Sequence, residues 1–224
     1  MHRQDMPKQF LPLGEKPIIL HALEQFLINP HVGRVIVVAP DTWRMYTEDL
    51  LSQVDRMNKE LFVISGGVNK TESMYALSQY IDETWGIDSS DVLIAHDAIR
   101  PFITQRIIDD NIAVARSRGA ANTVMITNDT ILVSKDGLSL DTIPNKSQMF
   151  AEQTPQTYML KRLRNVFSRA ITEGVSLQGE SELTRLYIQF GNEMGLVGGE
   201  YSNMKIINPY DLEVANALLQ ERKL

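Results

Sequence analysis

Four apolar runs rich in β-branched residues, RVIVVA over Arg34–Ala39, LFVIS over Leu61–Ser65, VLIAH over Val92–His96 and ANTVMI over Ala121–Ile126, recur along this chain. A strand that is apolar at consecutive rather than alternate positions has to be covered on both faces, as in a parallel sheet flanked by helices. The intervals carry helical stretches at 42–54, 71–84 and 105–118. Ahead of the first run, the segment 17–28 (PIILHALEQFLI) sets Ile19, Leu20, Leu23, Phe26 and Leu27 on one helical face and stops near Asn29-Pro30. Strand alternating with helix predicts right-handed βαβ units, hence an α/β, Rossmann-like, three-layer fold with a mostly parallel sheet. Ligands are then expected at the carboxyl ends of the strands.

The rhythm breaks between Thr127 and Pro155, where TILVS and the segment around DTIPNK read as short strands joined through Lys135-Asp136-Gly137. This stretch, about 127–155, predicts a projecting β-arm. Helices near 159–172 and 181–190, a strand near 194–197 and a closing helix from about 209 to 221 follow, with Pro209 in the first turn of the last. No repeat or linker divides the chain, so one domain over 1–224 is expected.

Composition narrows the chemistry. The 28 acidic against 22 basic residues give a net charge of −6, which argues against nucleic-acid binding through phosphate neutralisation. A local cluster of cations can still bind a small anion. No cysteine is present, which excludes disulfides, thiolate nucleophiles and Cys-ligated zinc, and the histidines at 2, 21, 31 and 96 lack metal-ligand spacing. No apolar run is long enough to span a membrane, and the polar start MHRQDMPKQF lacks a signal-peptide core, so a cytoplasmic location is expected.

Five constellations carry candidate chemistry. In Pro7-Lys8-Gln9-Phe10, Lys8 could neutralise charge on phosphate oxygens, or be an ordinary solvated lysine. In His96-Asp97-Ala98-Ile99-Arg100-Pro101-Phe102, Asp97 stands at the tip of a buried strand, suited to holding Mg²⁺ against triphosphate oxygens. The competing reading pairs Asp97 with Arg100 to fix a turn and makes His96 structural. Gly66-Gly67, with Lys70 and Ser73 as a helix opens, lets the backbone approach a base or phosphate, although a tight turn explains two glycines equally well. The remaining two are Gln153-Thr154-Pro155-Gln156 and Asn203-Met204-Lys205-Ile206, in which Lys205 could grip an acceptor phosphate or be a loop lysine.

Taken in order, MPKQF, GG…K..S, HDAIRPF, DT, QTPQTY and GEYSNMKI..PYDL resemble the cytidylyltransferases that make CDP-linked polyols, whose fold is of the nucleotide-diphospho-sugar transferase type. The resemblance is strongest to the ribitol-5-phosphate cytidylyltransferases of bacterial teichoic-acid synthesis. Their relatives, the 2-C-methyl-D-erythritol 4-phosphate cytidylyltransferases of isoprenoid synthesis, share fold and chemistry. The resemblance implies transfer of CMP from CTP to a small polyol phosphate with Mg²⁺ or another divalent cation. Lys8 would contact the CTP phosphates, Asp97 would stand by the metal, and Gly66, Gly67 and Ser73 would form the cytosine-recognition loop. Arg100, Thr130 and Lys205 would lie on the acceptor side, some contributed across a homodimer through the arm. A reductase supplying ribitol 5-phosphate is an implied partner.

Leu160, where erythritol-phosphate enzymes resemble one another in carrying arginine, and Ser202, where they tend to carry aspartate, make ribitol 5-phosphate the expected acceptor. Smaller departures are Lys70 for a usual arginine and Ser181-Glu182 for a usual Thr-Asp. The family also opens with a strand and a loop of the form A-G-G-x-G-x-R-M, and Met1 falls where its final Met would stand. The simplest expectation is that those residues are omitted from the sequence as given; a protein that truly began at Met1 would have an incomplete triphosphate site, which keeps a noncatalytic nucleotide-binding subunit as the rival expectation.

Overall fold

A computed structural model describes residues 6–177 and 182–221, so Met1 and Ser181 lie outside the described residues. The strands are β1 (Arg34–Ala39), β2 (Glu60–Ser65), β3 (Val92–Ala95), β4 (Ala120–Ile126), β5 (Phe150–Met159) and β6 (Gly195–Gly198). The helices are α1 (Ile18–Ile28), α2 (Asp41–Ser52), α3 (Lys70–Trp85), α4 (Gln105–Arg118), α5 (Leu160–Thr172), α6 (Glu182–Gln189) and α7 (Pro209–Glu221). A two-residue ladder, Pro12–Leu13 against Lys16–Pro17, precedes α1.

Helix boundaries follow local chemistry. The Asn69 side chain caps α3 by accepting from the Glu72 amide at 2.9 Å, and Thr104 caps α4. Gly119 ends α4 with φ of 101°, a left-handed conformation that favours glycine. Asn29, fully buried after α1, donates to Gln105 and Asp109 at 2.8 Å each and thereby ties the end of α1 to α4.

The strands form two sheets within one layer. β1 and β2 pair in parallel, Arg34 opposite Glu60 through Ala39 opposite Ser65. The second sheet has the order β3-β5-β4-β6, with β5 antiparallel to both neighbours and β6 parallel to β4. The sheet is mixed only through β5, which alone runs against the other strands of its sheet, so the mostly parallel expectation holds. Its central member, β5, occupies residues assigned from sequence partly to the arm.

FAEQTPQTYM looks unlike a central strand because it is polar and contains Pro155, which cannot donate to a ladder. A register shift between Asn122 and Val124 on β4 accommodates the proline. Thr123 Oγ1 donates to the Pro155 carbonyl at 2.7 Å, Gln153 donates to the Glu200 carbonyl, and Gln156 and Thr157 donate to the Thr184 and Asn111 side chains. The projecting segment is thus 127–149. It is exposed throughout 128–143, carries one bridge between Val133 and Thr142, and turns at Asp136, whose carboxylate accepts from the Leu138 and Ser139 amides at 2.8 Å.

Both sheets share their helical layers. On one face Leu23 and Leu27 of α1 pack with Val35 and Val37 of β1, while Ala22, Phe26 and the α4 isoleucines Ile107, Ile108 and Ile112 pack with Ile94 of β3. On the other face Met74 and Leu77 of α3 and Leu163, Val166 and Phe167 of α5 cover Ile36, Val38, Leu93 and Ala95. Phe167 is wholly buried and meets Tyr75 edge-on at 5.4 Å. Phe167→Ala should lower unfolding free energy by about 3–5 kcal/mol in a denaturant titration. A loss below ~1 kcal/mol would contradict this packing.

Candidate active site

Asp97 follows β3 at the carboxyl rim of the layer and is surrounded by cations from three other places in the chain. Lys205 Nζ lies 3.2 Å from Oδ2, Arg100 Nε 3.4 Å from the same oxygen, and Lys70 Nζ 3.8 Å from Oδ1. Burial alone would raise the Asp97 carboxyl, but the attraction of Lys70, Lys205 and Arg100 prevails and holds it below the usual aspartate value. Burial lowers the Lys70 ammonium, with Asp97 and Glu152 opposing. Three positive charges around one carboxylate leave a local excess of cation in a protein of net charge −6. This can receive a polyanion.

A chain of hydrogen bonds sets the position of Asp97. Its backbone N–H donates to Thr154 Oγ1 at 3.1 Å, and the Thr154 hydroxyl meets His96 Nδ1 at 3.1 Å. His96 Nε2 lies 3.0 Å from the Arg100 carbonyl. A carbonyl only accepts, so Nε2 carries the proton and Nδ1 receives the Thr154 hydroxyl hydrogen. Burial pushes His96 down to about 4, keeping the ring neutral as this network requires. Arg100 Nη1 donates to the Asn203 carbonyl at 2.8 Å, while the Asn203 side chain donates to Thr154 O at 2.8 Å and Gln153 Oε1 at 3.1 Å. The loop bearing Lys205 is thereby locked to β5.

The expected residues divide between this cluster and other places. Asp97, Arg100 and Lys205 come together. Arg100 is buried and directs its guanidinium inward, both to Asp97 and to the Lys205 loop. Gly66 and Gly67 lie against the start of α3, where a Cβ on Gly67 would stand 2.5 Å from Glu72 Cβ. Ser73 Oγ accepts from the Gly67 amide at 3.0 Å and lines the same cavity as Lys70, Asp97 and Lys205. Thr130 is exposed on the arm. Lys8 is exposed in a short 3-10 turn, Lys8–Phe10, where its charge acts on Asp211. Among the described residues Lys8 forms no ion pair with Asp97 and does not line its cavity.

The sequence model of the IspD family, 2-C-methyl-D-erythritol 4-phosphate cytidylyltransferase, matches residues 1–221. The chain belongs to the IspD family. It is a CTP-dependent nucleotidyltransferase of the cytidylyltransferase type. Solved structures agree in fold. The 4-diphosphocytidyl-2C-methyl-D-erythritol synthase of Anaerococcus prevotii is 23% identical with a TM-score of 0.80, over 93% of this chain and 88% of that one. The 2-C-methyl-D-erythritol 4-phosphate cytidylyltransferase of Francisella tularensis is 24% identical with a TM-score of 0.78, over 95% and 93%. That of Thermus thermophilus is 23% identical with a TM-score of 0.73, over 96% and 94%.

Within this IspD-family site, two further residues join the cluster. Lys70, expected at a helix start in place of a usual arginine, is the third cation on Asp97. Glu152 was not singled out. It accepts from Asn122 at 2.6 Å and Gln156 at 2.7 Å and acts electrostatically on Lys70 and Arg100. Its spacing of four from Gln156 on β5 was the available signal.

His96 also predicts a pH dependence. Its folded value of about 4 lies below the ordinary 6.5, so the unfolded chain binds a proton first and stability falls as pH drops from 6.5 to 4. The loss amounts to about 3 kcal/mol. His96→Gln, which can keep both hydrogen bonds, should flatten the stability profile between pH 6.5 and 4.5 relative to the parent. An unchanged slope in urea titrations would count against a buried neutral His96.

Proposed function

We propose that this chain transfers CMP from CTP to 2-C-methyl-D-erythritol 4-phosphate, releasing pyrophosphate. The observation that carries the reading is the convergence of Lys70, Arg100 and Lys205 on Asp97 at the strand ends, in a chain whose family match bears that acceptor's name. The match moves the preferred acceptor away from ribitol 5-phosphate, the expectation from sequence.

In the reaction, an acceptor phosphate oxygen attacks the α-phosphorus of CTP, forming a new P–O bond as the bond to pyrophosphate breaks. Charge accumulates on the phosphoryl oxygens, and lysines already held at the rim offset it without reorganising. Lys70 and Lys205, both partly exposed, are free to turn from Asp97 toward phosphate. Arg100 stays buried and positions the loop of Lys205. The Gly66-Gly67 loop and Ser73 border the nucleotide, and Lys8 approaches the triphosphate from outside the cluster.

Asp97 suits a divalent cation. It lines the cavity and keeps 17% of its side chain exposed, and a divalent cation would take the place that Lys70 and Lys205 leave as they turn toward phosphate. A single carboxylate fits Mg²⁺, which takes one or two carboxylates plus substrate phosphates. When bound there, Mg²⁺ would supply charge neutralisation on the phosphates.

We read 1–224 as one nucleotidyltransferase domain acting in the cytoplasm as a homodimer. No described helix is long and apolar enough to cross a membrane. The arm exposes Leu132, Leu138, Leu140 and Ile143, an apolar edge suited to a second copy, which would also bring Thr130 to an acceptor.

One observation favours ribitol 5-phosphate as a second reading. Leu160 is buried, so it offers an acceptor phosphate nothing, and Ser202 carries no charge. That reading would call for a reductase to supply the polyol phosphate.

Pyrophosphate release measured side by side with the two acceptors, CTP and Mg²⁺ should give at least tenfold higher kcat/KM with methylerythritol phosphate. The reverse order would establish the ribitol reading, and silence with both would favour a noncatalytic subunit. Lys205→Met and Lys70→Met should each lower kcat/KM by about 10²-fold or more with little change in melting temperature. Activity within threefold of the parent would remove them from the mechanism.

A further inference from the structure

Glu152 is held by an arrangement that the cations around Asp97 do not explain. One of its carboxylate oxygens, Oε1, accepts from Asn122 Nδ2 at 2.6 Å, Gln156 Nε2 at 2.7 Å and Thr184 Oγ1 at 3.3 Å. Donors from β4, β5 and α6 thus converge on a single atom. Asn122 and Gln156 are buried, and with their NH2 groups turned to Glu152 their own oxygens, Asn122 Oδ1 and Gln156 Oε1, have no hydrogen-bond partner among the described residues. Each such orphan disfavours folding. A carboxylate only accepts, so neither amide can turn its oxygen toward Glu152 instead. The fold gives up two buried acceptors to aim one carboxylate.

The second oxygen, Oε2, is left open. Among the described residues it enters no hydrogen bond or ion pair, and Glu152 is exposed although both amides that hold it are buried. Its place is the catalytic rim. β5 runs antiparallel to β3 with Gln156 opposite Ala95, and Thr154 takes the Asp97 amide, so Glu152 stands two residues, about 7 Å, further out along β5. The loop bearing Lys205 docks on Gln153 and Thr154, immediately beside it. Alternation along the strand turns Glu152 and Gln156 to one face, the face covered by α3 and α6, and Lys70 of α3 reaches Asp97 from there. Glu152 accordingly acts electrostatically on Lys70 and Arg100 without forming an ion pair with either.

An anionic oxygen at the edge of a cationic site repels phosphate and attracts hydroxyl groups, which can donate to it. The lysines already answer the phosphate. A four- or five-carbon polyol chain running from a phosphate on Lys205 covers a distance comparable to the offset of Glu152 from Thr154, whereas a three-carbon chain stops short. We propose that Glu152 is the specificity-determining residue for the acceptor, its open oxygen receiving hydrogen bonds from the hydroxyls at the far end of a polyol phosphate whose phosphate lies on Lys70 and Lys205. This role rests on the reading of the cleft as a polyol-phosphate site and is the same for either acceptor named above. A hydrogen bond to an ionised acceptor is stronger than one between neutral groups, and a site built to bind a hydroxyl strongly rejects an analogue that cannot supply it. Chain length is thus read at Glu152, at the opposite end of the acceptor from the reacting phosphate.

Titration calorimetry of the full chain, with CTP and EDTA present, reads acceptor binding without turnover. The probes are methylerythritol 4-phosphate, ribitol 5-phosphate, the shorter glycerol 3-phosphate, and pyrophosphate, which has no hydroxyl chain. The parent should bind the better of the two longer acceptors about tenfold or more tighter than glycerol 3-phosphate. Glu152→Ala should weaken that acceptor by about tenfold or more, while glycerol 3-phosphate and pyrophosphate stay within about twofold of the parent. Glu152→Gln keeps an oxygen for the three donors and should fall between the two, which separates lost recognition from a disturbed fold. Binding of the longer acceptor by Glu152→Ala within about threefold of the parent would overturn the proposal. So would equal weakening of every probe, pyrophosphate included, which would make Glu152 a modulator of the lysines. Both results leave the polyol-phosphate reading standing. A parent that binds no polyol phosphate would overturn that reading, and this role with it.

Discussion

A carboxylate kept largely out of water has to be compensated, and the compensation of Asp97 organises the functional end of this protein. Its oxygens face Lys70, Arg100 and Lys205. These stand on the first turn of α3, on the turn after β3 and on the loop before α7. Each belongs to a different part of the chain, so the ion cluster forms only when the βαβ units and the closing loop are all in place. Truncating Arg100, the buried cation of the cluster, would be costlier than losing either of the half-exposed lysines. The acidic protein thus holds a cationic pocket whose lysines rest on Asp97 until an anion with more negative charge competes for them.

The neutral network behind the cluster is as demanding as the charges. Thr154 receives the Asp97 amide and serves His96, while Asn203 links the carbonyl of Thr154 to the loop that carries Lys205. This explains why β5 tolerates a proline and so many polar residues in the middle of a sheet. Gln153, Thr154 and Gln156 are not there to fill a core. They transmit the position of one rim element to another, and a central strand is the most rigid place from which to do so.

Much of the architecture was legible because burial on both faces writes itself into consecutive apolar residues. β1 through β4 and the helices between them lie where RVIVVA, LFVIS, VLIAH and ANTVMI and the amphipathic stretches place them. β5 was not legible, since its burial is satisfied by hydrogen bonds specific to Asn111, Thr123 and Asn203 rather than by apolar side chains. Asp97 and Lys205 were visible through motif order and strand-end placement. The partnership of Lys70 with Asp97, 27 positions apart, follows only from the adjacency of two strand ends, which no local pattern encodes. Arg100 shows the opposite difficulty, because an exposed and a buried arginine look alike in sequence and this one is buried.

Asn203 has a bearing on how such an enzyme diversifies. Its amide is fastened to β5, whereas Ser202 beside it is only partly buried and bonds within its own loop, to Glu200. The loop is therefore an anchored hinge pin with an interchangeable tip. If the acceptor docks on this side as proposed, a substitution at the tip would change what it meets while leaving the network that positions Asp97 untouched.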